Sequence, residues 1–174
     1  QIPDLAAYQF QLSARLDPSA GLFQMVTNAV RAKPKRVVFA EGEEDCVIRA
    51  AAAFQNSGMG KALLVGRPEI VKQGFRRAGI DEKLLEIRVP HSAEDAAPYV
   101  DALYKRIQRR GGLHRDAVRM VTNDRNIYAA SMLKAGDADA MVTGVTRNYA
   151  NALADVRQVL DPPPGQKPIG MQVI

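Results

Sequence analysis

With 174 residues, 47% of them apolar, the chain is about one domain's worth and has enough material for a core, since chains split into several domains only beyond roughly 250 residues. Its apolar runs fall well short of the ~18 residues a membrane helix needs, and a single cysteine excludes an internal disulfide, which fits a reducing cytoplasm. The net charge of +5 is spread over Lys33/Lys35/Arg36, Arg76/Arg77 and Lys105/Arg106/Arg109/Arg110 without the interleaved aromatics or modules of a nucleic-acid binder. These clusters read either as solvated helix faces or as a mild positive field for an anionic ligand.

Residues 1–19 are polar and turn-rich, and the chain starts at Gln1 rather than Met. Both features are read as a lead-in cut from something upstream. From Gly21 to Ala32, Leu22, Phe23, Val26, Ala29 and Val30 share one helical face, and Pro34 breaks the helix. Residues 36–40 read as a buried strand. A turn at Glu41-Gly42 follows, and then a helix over 43–56 whose first turn is acidic and which stops near Gly58. The next strand is expected at 62–66, and Pro68 opens a helix reaching Arg77 before Gly79 stops it.

Alternation over 85–89 predicts a short strand closed by Pro90. The 94–110 segment is the clearest amphipathic helix, with Val100, Leu103, Tyr104 and Ile107 in its stripe and Gly111-Gly112 at its end. Helices near 115–120 and 124–135, a strand over 138–144 and a helix from Asn148 or Asn151 to Val159 complete the series. Short apolar strands alternating with helices predict βαβ units on a mostly parallel sheet, hence a three-layer α/β fold. Asp161-Pro162-Pro163-Pro164-Gly165 is a stiff linker, and the apolar run 169–174 reads as a strand begun and then cut off.

Little in the chain carries local chemistry. Glu41, Glu43, Glu44 and Asp45 match no calcium loop and have no histidine nearby. Stabilisation of a helix start accounts for them better than a metal does. Cys46 is placed where a small thiol packs, while His91 and His114 stand in loops before helices with no partner at ligand spacing. No GxGxxG, Walker or GxSxG pattern is present. The best binding candidate is the loop with Thr143, Gly144, Thr146, Arg147 and Asn148, at the carboxyl end of a strand where open sheets hold ligands. It offers a glycine, hydroxyls, an amide and an arginine able to pair with phosphate. The same residues also suit a plain helix start capped by Asn148.

Five motifs in order carry a family resemblance. They are Phe39-Ala40-Glu41-Gly42-Glu43-Glu44, Leu64-Val65-Gly66-Arg67-Pro68, Tyr104 on the long helix, Ala130-Ser131-Met132-Leu133, and 136–144 from Gly136 to Gly144. From about Lys33 onward the chain resembles the first half of the phosphotransacetylase fold, and in particular the phosphotransacetylase-like tail of bacterial hybrid malic enzymes. The resemblance implies a truncated three-layer phosphotransacetylase or isocitrate-dehydrogenase-like fold. It divides the chain into a lead-in over 1–33, an α/β domain over 34–161, and over 162–174 a linker with the start of a further subdomain.

Where working phosphotransacetylases carry arginines for phosphate and coenzyme A, this chain has Ile107 and Ala154 or a neighbour, a further family arginine aligns with Cys46, and the family's Ser-Arg pair and catalytic Asp would lie in the second half. No catalytic residue is therefore expected here. The resemblance implies a regulatory and oligomerising part that responds to acetyl-CoA. NADP and Mg or Mn are expected to bind an upstream malic enzyme domain, in a cytoplasmic homo-oligomer with no nucleic-acid or membrane partner. The alternative is a phosphate acetyltransferase moving acetyl between coenzyme A and phosphate.

Overall fold

The computed structural model describes residues 8, 18–90 and 93–167. It forms two compact units, one of residues 35–161 and one of 1–34 with 162–174. In the second of these, α1 (Pro18–Ala32) carries Phe23 and Val26, both at least half exposed, on the apolar face expected from the sequence. The expected strand at 169–174 and the loop histidine His91 lie outside the described residues.

In the unit 35–161, β1 (Lys35–Phe39), α2 (Asp45–Asn56), β2 (Gly60–Val65), α3 (Pro68–Ala78) and β3 (Glu86–Arg88) alternate as the hydrophobic pattern demands. They are followed by α4 (Ala93–Ile107), a 3-10 turn over 108–110, α5 (His114–Asn123), α6 (Arg125–Ala135), β4 (Ala140–Val142) and α7 (Tyr149–Val159). The sheet order is β3-β2-β1-β4 and every pairing is parallel. Parallel strands are buried on both faces, and the side chains divide accordingly. Val38, Ala40, Leu63 and Val65 face α4, α5, α6 and α7. Phe39, Ala62 and Leu64 face α2 and α3. The expected three-layer α/β architecture is thus observed.

Strand ends account for most differences from the sequence expectation. Ala40 and Gly66, read as strand residues, instead carry the ladder one bond beyond it, from Ala40 N to Val142 O (3.0 Å) and from Gly66 N to Arg88 O (3.1 Å). The long helix stops at Ile107 and passes into the 3-10 turn before Gly111, whose φ is +82°. The helix expected from 43 starts at Asp45. This helix turns Val47, Ile48, Ala51 and Ala52 to the core, which leaves Cys46 on its outer side, exposed rather than packed. His114 is the first residue of α5 rather than a loop residue, with its ring edge-on to Tyr104.

Candidate functional site

All four strands point the same way, so their carboxyl ends deliver four loops to one edge of the sheet: 40–44, 66–67, 89–90 and 143–148. In open α/β sheets this edge is where ligands bind. At Glu41-Gly42 the chain crosses the end of β2 so closely that a Cβ on residue 42 would lie 2.9 Å from Leu64 Cβ and from Val65 O. Only glycine fits that crossing, and it aims Glu41 across the sheet edge.

Glu41 is 1% exposed. Its carboxylate accepts hydrogen bonds from the amides of Gly144 (3.0 Å), Val145 (2.7 Å) and Thr146 (2.8 Å), and from Thr146 Oγ1 (2.6 Å). Burial alone would raise its pKa, but the Thr146 hydroxyl and the three amides outweigh burial and hold it below the usual carboxylate value. Gly144, at φ +111°, supplies the backbone turn that lets successive N–H groups converge on one carboxylate.

The other residues expected in the site are engaged in the same structure. Thr143 Oγ1 donates to Asn126 Oδ1 (2.7 Å), and Asn126 Nδ2 donates to Asp155 (3.2 Å). Arg147 donates to Asp124 (2.6 Å) and Asp155 (2.5 Å), joining α6 and α7. Asp124 also caps α6 by accepting from the amides of Asn126 and Ile127. Asn148 caps α7 by accepting from Asn151 N at 2.9 Å. All five residues follow the end of β4. Their first hydrogen-bonding partners are the protein's own groups.

Sequence reasoning treated Glu41 and Glu43 as helix-start carboxylates. The structure corrects this: both are anchors between elements. Glu43 makes a bidentate pair with Arg67 at 2.9 Å and accepts from its amide. The Arg67 guanidinium holds the Glu43 carboxyl at about 2. Asp45 pairs with Arg77 of α3 at 2.7 Å. Partners three or four residues away would have been legible in the sequence, but these lie 24 to 105 positions off. Among the described residues no group of histidine, cysteine and carboxylate side chains is arranged to hold a metal ion.

Two cavities flank the 143–148 loop. One, of about 310 Å³, is polar and lined by Glu43, Arg67, Thr122, Asn123, Arg125 and Arg147. Arg125 donates to Thr146 Oγ1 (3.0 Å) and makes no ion pair among the described residues. The other, of about 350 Å³, is mainly apolar, formed by Thr143, Gly144, Tyr149, Ala152, Leu153 and Val156.

Residues 21–173 match the family model described as phosphate acetyl/butaryl transferase. The chain belongs to that family. Over 99% of its length it is 48% identical to an NADP-dependent malic enzyme of Rhizobium meliloti (strain 1021), and it spans 23% of that protein. A probable NADP-dependent malic enzyme of Rickettsia prowazekii (strain Madrid E) is 37% identical over 96% of the chain, which spans 22% of it. The chain therefore covers under a quarter of these relatives. Among solved structures, a phosphotransacetylase from Streptococcus pyogenes superposes with a TM-score of 0.78 at 26% identity, over 85% of this chain and 44% of that one. Among the described residues no helix is long and apolar enough to cross a membrane.

Proposed function

We propose that the chain is the acetyl-CoA-sensing, oligomerising part of a cytoplasmic NADP-dependent malic enzyme, whose upstream domain oxidatively decarboxylates malate with NADP and Mg or Mn. The observation that carries this reading is the pairing of an arginine-lined polar cavity with an apolar one on either side of the Thr143–Asn148 loop. Acetyl-CoA joins a phosphate-rich end to an apolar acyl arm, and it would engage both. Thr143 and Gly144 border the apolar side and Arg147 the polar side. Thr146 and Asn148 hold the loop's shape through Glu41 and the α7 cap. Such a ligand regulates only if it binds two states of the protein unequally.

Absence of acyl transfer in this chain is supported by the residues at the family's arginine positions. Cys46 is exposed, and Ile107 packs on the core beneath α4. The neighbouring Arg106 is already paired with Asp161. Family membership and fold favour the second reading, a phosphate acetyltransferase. The deciding experiment is malate-dependent NADP reduction by the full-length gene product, titrated with acetyl-CoA. A change in turnover that saturates with acetyl-CoA is expected. Turnover indifferent to acetyl-CoA would overturn sensing and leave an assembly part. Failure to oxidise malate, with acetyl phosphate formed from acetyl-CoA and phosphate, would establish the second reading.

A further inference from the structure

Helix α1, in the unit of residues 1–34 and 162–174, is amphipathic with its apolar side uncovered. At about 100° per residue, Phe23, Met25, Val26, Ala29 and Val30 fall within one half of its circumference, and Gln24, Thr27, Asn28 and Arg31 fill the other. Gln24 Nε2 donates to Asn28 Oδ1 at 3.2 Å, a one-turn pair along the polar half. The apolar half is open: Phe23 is 57%, Met25 63% and Val26 50% exposed, and Ala29 is exposed beside them.

A helix of 15 residues is marginal by itself in water, and in proteins such helices take most of their stability from packing an amphipathic face. The open half of α1 is therefore a face to be covered, and its size selects the kind of partner. Three large side chains at roughly 100 Å² apiece offer about 300 Å² of apolar surface. Association of separate molecules takes about 800 Å² from each side, so a second copy meeting α1 alone falls well short. A partner on the same polypeptide needs far less area, because the tether supplies an effective concentration in the millimolar range. The chain spans under a quarter of its malic enzyme relatives, so most of such a polypeptide lies outside it. The likeness to the Rhizobium meliloti protein runs over 99% of the chain, whereas the family model starts at residue 21. The residues leading into α1 are thus shared with a malic enzyme and lie outside the family model, which points the tether upstream.

We propose that the apolar half of α1 docks into an apolar groove on the malic enzyme domain that precedes this chain in the full-length polypeptide. The inference rests on the malic enzyme reading. Only Lys33 and Pro34 separate α1 from β1, so a docked α1 is a short covalent link between that domain and the sheet.

The test is photocross-linking in the full-length gene product, with p-benzoylphenylalanine replacing Phe23, Val26 or Gln24 in three separate preparations. Cross-linked peptides are identified by mass spectrometry. The probes at 23 and 26 should capture a peptide that precedes Gln1, and the probe at 24, on the polar half, should capture none. Adding V26D to the probe at 23 should cut the yield by about tenfold, since a carboxylate is costly to bury in an apolar groove. The proposal is overturned if the probes at 23 and 26 capture a peptide beyond Ile174, a peptide within this chain, or a second copy. No cross-link from either position, or equal yields from 23 and 24, also overturns it. Malate oxidation by the same preparation separates the two readings. Where malate is oxidised and the cross-link lies elsewhere, only the docking fails. Where malate is not oxidised, the malic enzyme reading falls and this inference with it.

Discussion

Glu43 concentrates the electrostatics of the carboxyl edge in one side chain. It is 18% exposed, while its partner Arg67 is 57% exposed, so the pair works in part against solvent screening. Its pKa falls from 4.5 to about 2 because the ionised form accepts three hydrogen bonds from Arg67. The sign follows from proton binding. Below about pH 4.5 the unfolded chain takes up a proton that the folded state refuses until about pH 2. The stability supplied by Glu43 is therefore complete above pH 4.5 and is lost as pH falls towards 2. Urea midpoints measured across this range should fall less steeply with acid in E43Q than in the parent. Identical acid limbs in the two proteins would show that the pair contributes nothing.

At the scale of elements, Glu41 ties the end of β1 to the loop between β4 and α7. It does so through a carboxylate that meets three backbone donors and a hydroxyl at 2.6–3.0 Å. In E41Q the side-chain amide nitrogen would be set against amide donors, leaving N–H groups unpaired in a buried place. Loss of charge-assisted hydrogen bonds of this kind costs about 3 kcal/mol, so the urea midpoint of E41Q should drop well below that of the parent. Protection of the 144–146 amides against hydrogen exchange should fall further than protection of β1 and β2. A uniform fall would mean that Glu41 stabilises the fold as a whole rather than this junction. The motif Ala40-Glu41-Gly42 was visible in the sequence at a strand end. What it holds was not, because its partners lie more than 100 positions away.

On the scale of the whole molecule, β4 is the last strand on its side of the sheet among the described residues. Beside it, Val142, Val145 and Tyr149 are 45%, 56% and 72% exposed. An open strand edge next to apolar side chains invites pairing with another surface, which is the physical basis for the proposed self-association. Sedimentation velocity should show a mass that rises with concentration for the parent chain and rises less for the double variant V145D/Y149D. A parent that stays at 19.0 kDa at all concentrations would remove this face as the basis for assembly.

Element type and order were set by the chain itself. The apolar runs of 36–40 and 62–66, the stripe of 94–110 and the glycines at 79, 111 and 136 are local signals, and helices and strands answer to local pattern and to backbone freedom at their ends. The candidate loop at 143–148 was legible for the same reason, since it follows a strand and carries polar side chains. Tertiary structure alone decided what those side chains do. Arg147 and Asn148 read as unengaged polar groups until α6 and α7 brought Asp124, Asp155 and the free amides of α7 within hydrogen-bonding distance. Likewise Lys134 joined Lys105, Arg109 and Arg110 around one cavity only when the ends of α4 and α6 converged. Charge and hydrogen-bonding capacity belong to a residue, but whether they are spent inside or left for a ligand depends on neighbours that chain distance does not reveal.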